Sequence, residues 1–122
     1  MYEYQAYLLR VIDGDTIDVD IDLGFNIKVK KRIRLYHIDT WELRTRDLEE
    51  KKRGFAAKAR LEDILKQNNN TFVLISHGVG KFGRVLGTIK VGSIDGDSRL
   101  TDVVKQLISE GYAKNFKSGQ NL

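Results

Sequence analysis

The chain has 122 residues, 41% hydrophobic and 31% charged, which is a globular composition and not that of a disordered chain, suits one folded domain and leaves no room for two. It contains no cysteine, so a disulfide framework and a thiolate metal site are excluded. Lys and Arg number 21 against 17 Asp and Glu, giving a net charge of +4 and a pI near 9.3, which fits a nucleic-acid partner and fits equally a mildly basic soluble surface.

The opening MYEYQAYLLR is strand-like and lacks the basic and long apolar regions of a signal peptide. No apolar run approaches the ~20 residues of a membrane span. A cytoplasmic monomer without a membrane partner is therefore expected, although a leader removed earlier would leave no trace.

Tyr2, Tyr4, Ala6 and Leu8 alternate, then the phase shifts near Leu9 and resumes at Val11, which predicts a strand with a bulge. Ile17, Val19, Ile21 and Leu23 alternate with Asp18, Asp20 and Asp22, a second strand with an acidic outer face. After the turn material Leu23–Asn26, Ile27, Val29, Ile33 and Leu35 alternate with Lys28, Lys30, Arg32 and Arg34. An acidic strand face followed by a basic one predicts antiparallel neighbours with cross-strand ion pairs.

From Thr40 to Arg53 the period is lost and the chain reads as a solvated loop. Ala57, Leu61, Ile64 and Leu65 predict a helix from about Gly54 to Gln67, stopped by Asn68–Asn70. Thr71–Ser76 is a β-branched strand, His77–Gly83 a glycine-spaced turn, Val85–Val91 a further strand and Gly92–Ser98 another turn. Leu100, Val103, Val104, Leu107 and Ile108 keep helical spacing, with Gly111 at the C′ position. Three strands, helix, two strands, helix match an α+β, mainly β fold: a five-stranded OB-fold barrel with two packed helices. One domain over residues 1–116 is expected, with 117–122 as a tail that has no core signal.

Three stretches carry chemistry. Asp13 and Asp15 flank Gly14 at a strand start, where Asp15 can turn toward the barrel mouth; the plain alternative is an Asx turn. Arg34 ends the third strand and is followed by Asp39-Thr40-Trp41-Glu42. Carboxylates from two neighbouring strands form an anionic pocket of oxygen donors, suited to a hard cation such as Ca²⁺ or Mg²⁺ and not to Zn²⁺. The alternative is solvated charge at a strand end. Lys81-Phe82-Gly83-Arg84 adds a guanidinium whose planar fork matches a phosphate, or else a hairpin turn with a solvent-facing arginine.

In these stretches the sequence resembles the thermonucleases, the staphylococcal-nuclease-like domains. The resemblance rests on Ile12–Thr16, on Arg34-Leu35 with Ile38-Asp39-Thr40 and Glu42, on Lys81–Arg84, and on Glu110–Lys114 at a helix end. The ordered set is specific where no single motif is, and it covers about residues 5–116. It implies Ca²⁺-dependent, sequence-tolerant cleavage of DNA and RNA, single-stranded or locally open, leaving 3′-phosphate and 5′-hydroxyl ends. By the same resemblance, Asp15 and Asp39 bind one calcium ion through their side chains and Thr40 through its carbonyl. Glu42 acts on the attacking water, Arg34 and Arg84 hold the scissile phosphate, and Asp13 is a neighbouring carboxylate outside the ligand set. Lys81, Phe82 and Tyr112 are the candidates for contact with the nucleotide.

The chain departs from the family in three places. Trp41 stands where proline is usual, Phe82 replaces a common tyrosine, and the sequence stops soon after Phe116, before the last helix of longer members. Two other readings remain: a non-catalytic nucleic-acid-binding barrel, which has little need for Arg34, Glu42 and Arg84 together, and a calcium-stabilised protein-interaction domain. His37 is read as structural, His77 as a loop or strand-end residue, Trp41 as packing, and Arg44, Arg46, Lys51, Lys52 and Arg53, interrupted by acids, as a solvated loop.

Overall fold

Alternation and turn chemistry build the first three strands. In the computed structural model, which describes residues 2–36, 38–39, 47–80, 83–92 and 100–115, β1 is Tyr2–Asp13, β2 is Thr16–Asp22 and β3 is Lys28–Leu35. β1 shifts register between Leu8 and Arg10 and again between Val11 and Asp13, so the bulge falls where the phase breaks. Asp18, Asp20 and Asp22 face Arg32, Lys30 and Lys28 across the β2–β3 ladder. The alternation is imperfect in β3: Lys31, in phase with Val29 and Ile33, is exposed, and Ile27 lies outside the strand and is also exposed. The connecting hairpin places Gly24, Phe25 and Asn26 all at positive φ. For Phe25, whose φ is +55°, that conformation is uncommon, and its ring is almost wholly in solvent.

β4 (Ile38–Asp39) pairs with β8 (Lys114–Asn115). Helix α1 is Leu48–Gln67, starting six residues before the Gly54 expected from periodicity. The cause is Asp47, whose carboxylate accepts hydrogen bonds from the amides of Glu49 and Glu50, with both glutamates in the first turn complementing the helix dipole. Lys51, Lys52 and Arg53 therefore belong to a helix and not to a loop. Asn69 and Asn70, both at φ +58°, end the turn after α1.

β5 is Thr71–Val79 and β6 is Val85–Val91. β5 thus includes His77, placed in the turn by sequence, beside a register shift between Ser76 and Gly78. β7 (Thr101–Asp102) pairs with β6, and α2 is Val103–Ser109, so Leu100 lies outside the helix. Gly111, at φ +84°, sits at C′; its amide donates to Ile108 O and that of Tyr112 to Leu107 O, the paired bonds of a Schellman motif.

The strand order is β3-β2-β1-β5-β6-β7, and a parallel β3–β6 pairing closes β1, β2, β3, β5 and β6 into a mixed five-stranded barrel. With α1 and α2 this is the expected α+β OB-fold. Ile17, Val19, Ile33, Leu35, Leu74 and Ile89 fill the barrel side of the core, and Leu61, Leu65, Val103 and Leu107 supply the helical side.

The closing seam depends on Gly87. It pairs with Leu35 on β3 and Ser76 on β5, and a Cβ there would lie 2.6 Å from Leu74 Cδ1 and 3.1 Å from Ile33 Cγ2. A side chain at this position would have to displace the buried Leu74 and Ile33 side chains.

Candidate nucleic-acid site at the barrel seam

The β1–β2 connection is a two-residue turn, Gly14–Asp15, between the paired residues Asp13 and Thr16. Asp15 is fixed on both sides. Its carbonyl accepts from the Leu35 amide at 2.8 Å, and its Oδ1 accepts from Thr16 Oγ1 at 2.9 Å. Thr16 is buried and stands opposite Arg34 in the β2–β3 ladder.

Arg34 is held more tightly than an ordinary surface arginine. Its Nη1 donates to Leu35 O at 2.9 Å and its Nη2 to Ile38 O at 3.0 Å. The same Nη2 lies 3.6 Å from Asp15 Oδ2, and the two side chains keep only 23% and 16% of their exposure. One guanidinium thus ties the β1–β2 turn, the end of β3 and the backbone that leads into Asp39. Two of its five N–H donors are used on carbonyls, which fixes its plane and leaves others for a ligand.

Arg84 immediately precedes β6, whose Val85 and Leu86 run parallel to Ile33 and Arg34. Its carbonyl accepts from the Gly80 amide at 2.7 Å, closing the β5–β6 connection. The seam therefore brings the Arg84 segment beside the strand that carries Arg34.

Asp39 occupies β4 opposite Lys114. Asp13 ends β1 and is half-buried, and Tyr112 packs against the core at the end of α2. Thr40, Glu42, Lys81 and Phe82, with His37, Trp41, Arg44 and Arg46, lie outside the described residues, as does the side chain of Asp39. Among the described residues there is no group of three or more His, Cys, Asp or Glu that could hold a metal ion.

Two features were not visible in the sequence. The carbonyls of Leu35 and Ile38 orient Arg34, and backbone partners leave no residue signature. His77 stacks on Tyr36 with ring centroids 4.2 Å apart, and its Nε2 lies 2.7 Å from Thr88 Oγ1. Tyr36 and Thr88 also line a cleft of about 430 Å³ with Asp102, Lys105 and Ser109. Among the described residues, that cleft is lined by neither Arg34 nor Arg84 and by no carboxylate pair, which leaves the seam as the candidate site.

Ion pairs elsewhere support the frame. Asp18 accepts from Arg32 Nε at 2.8 Å and Arg10 Nε at 3.0 Å. The hydrogen bond from Arg32 chiefly, then that from Arg10, outweighs burial and holds the Asp18 carboxyl below its ordinary value. Glu110 is lowered in the same way by Arg60, which it meets at 2.7 Å.

These features define an OB-type barrel domain with charged side chains gathered at a strand-end seam. The family model described as staphylococcal nuclease homologue matches residues 32–121, and the chain belongs to that nuclease-like family. The match takes in Arg34, Asp39, Glu42 and Arg84, while Asp13–Thr16 falls outside it and is joined to the site by the fold. A search of the curated proteins found no match. Among the described residues, no helix is long and apolar enough to cross a membrane.

Proposed function

We propose that the protein is a Ca²⁺-dependent nuclease that hydrolyses DNA and RNA with little sequence preference, leaving 3′-phosphate and 5′-hydroxyl ends. The observation that carries this reading is the clamped Arg34, 3.6 Å from Asp15 and bonded to the carbonyl of Ile38, the residue before Asp39.

The donor set fits a hard cation. Asp15 and Asp39 offer carboxylate oxygens and Thr40 a carbonyl, with no sulfur or imidazole among the assigned ligands. Bound there, Ca²⁺ would offset the negative charge of the phosphate and polarise one of its oxygens.

Arg34 and Arg84 bind the phosphate and stabilise the charge that grows on its equatorial oxygens. Because Arg34 is already oriented by two carbonyls, little reorganisation accompanies the reaction. Glu42 takes a proton from water, whose oxygen attacks phosphorus in line with the 5′ oxygen. The P–O5′ bond breaks, and the 5′ oxygen leaves as a hydroxyl by taking a proton from solvent water, to which Glu42 later returns the one it accepted. Lys81, Phe82 and Tyr112 contact the nucleotide, and Asp13 adds negative charge beside the ligand set.

The test is incubation of single-stranded DNA, duplex DNA and RNA with Ca²⁺, Mg²⁺ or chelator, followed by identification of product ends. Cleavage with Ca²⁺, abolished by chelator and leaving 3′-phosphates, is expected. Salt-sensitive binding with no cleavage under any metal would overturn the catalytic reading in favour of a binding-only barrel.

A further inference from the structure

We propose that one stripe of α1, formed by the exposed Leu48, Lys51, Lys52 and Phe55 and the half-buried Lys58, is a track for a single-stranded polynucleotide. This rests on the nucleic-acid reading above but assigns a surface that the reading does not use.

Helical geometry separates α1 into three faces. Gly54, Ala57, Leu61, Ile64 and Leu65 face the core. Arg60 lies on a second face, where it pairs with Glu110 and Asp63. The third face carries residues 48, 51, 52, 55 and 58, spaced by three or four, and extends about 15 Å at 1.5 Å per residue. Leu48 is 72% exposed and Phe55 49% exposed, so neither is a core residue. Among the described residues, no carboxylate forms an ion pair with Lys51, Lys52 or Lys58. Among the acidic residues of the helix, Glu49 and Glu50 lie in the first turn and Asp63 pairs with Arg60, while Glu62, four residues beyond Lys58 on the same face, ends the stripe.

Cations interleaved with an exposed aromatic ring fit a strand of phosphates and bases. The lysines neutralise phosphates, and a base can stack on Phe55 whatever its identity. The basic face of β3 does not offer the same opportunity, because Asp18, Asp20 and Asp22 stand opposite its cations. A short length of chain also tethers the start of the stripe to the proposed site. Asp47 caps α1, and the eight Cα–Cα steps from Asp39 to Asp47 limit their separation to at most about 30 Å. A lipid surface fits less well, since the broad apolar face of α1 is turned inward and only two large apolar residues face out.

The test compares the parent with Lys51→Ala/Lys52→Ala/Lys58→Ala and with Phe55→Leu, which keeps an apolar side chain but loses the ring. Circular dichroism first establishes that each variant is folded. Hydrolysis of a dinucleotide diester and of a twenty-nucleotide thymidine strand is then measured. The triple variant is expected to raise KM about 10-fold for the long strand only and to make its salt dependence shallower by about 2 in log–log slope, at ~0.7 per contact. Phe55→Leu should raise the same KM a few fold. An unchanged KM for the long strand, or equal losses on both substrates, overturns the track. If nothing is cleaved, the function proposed above fails; binding of the thymidine strand by fluorescence anisotropy then decides the track by the same variants. Loss of binding to phosphatidylserine vesicles with strand binding intact would also overturn it.

Discussion

Gly87→Ala is expected to strain the barrel at its closing seam. The added methyl would lie 2.6 Å from Leu74 Cδ1 and 3.1 Å from Ile33 Cγ2, and both residues are buried in the core. Leu74 can yield only into packed surroundings, and Ile33 is stiff at its branched Cβ. Overpacking of this kind costs about 1–3 kcal/mol. For a chain of this size that corresponds to a fall in Tm of roughly 5–15 °C. Thermal and urea unfolding by circular dichroism measure it. A second variant identifies the cause: Leu74→Val deletes the clashing Cδ1, so Gly87→Ala should do less damage in that background. The double-mutant cycle should show coupling of at least about 1 kcal/mol. A Gly87→Ala protein that unfolds at the parent midpoint, or additive effects in the double variant, would refute the argument.

Four further outcomes are expected. Arg34→Lys and Arg84→Lys keep the charge but lose the planar fork, so each should lower kcat by roughly 10²-fold, read by steady-state DNA hydrolysis; parental rates would remove both from the mechanism. Glu42→Gln should reduce turnover while leaving strand affinity near that of the parent, as anisotropy in parallel with kinetics would reveal. Gly111→Ala forces a side chain into the left-handed region at φ +84° and should destabilise the fold by about 1–2 kcal/mol, measured by urea titration. Because the folded-state pKa of Asp18 is depressed below its ordinary 3.8, its contribution is present above that value and disappears as pH falls through the lower one. The stability gap between the parent and Asp18→Asn should therefore close below pH 3.8, and a gap that persists through the acid transition would contradict the assignment.

The sequence was most readable where one face of an element is buried and the other is not. β2 and β3 show this in part: alternation located both to within a residue, and the facing rows of Asp and Lys or Arg anticipated their ladder, while Leu23 and Ile27 fell outside the strands and Lys31 broke the phase. The first turns of α1 were hidden for the converse reason. Residues 48–53 are mostly exposed and highly charged, so they carry no apolar period, and Asp47 was the overlooked start signal. Leu100 erred in the opposite direction, falling in helical register while lying outside α2. At the site, motif order indicated Asp15, Arg34 and Arg84 as a set. The link that fixes Arg34 runs through the carbonyls of Leu35 and Ile38, which every residue possesses and no sequence can advertise.

The hairpin between β2 and β3 has a consequence far from itself. Its left-handed residues, Gly24, Phe25 and Asn26, set the length of the turn, and turn length sets which residue of β3 meets which residue of β2. Arg34 lies near the other end of β3, about 20 Å away at ~3.3 Å per residue. A slip of one position would turn Ile33 outward and send Arg34 into the core, detaching it from Asp15 without altering any residue of the site. The tip thus acts as a remote index for the chemistry: its turn geometry, and not its side-chain contacts, decides on which side of the barrel wall the guanidinium arrives.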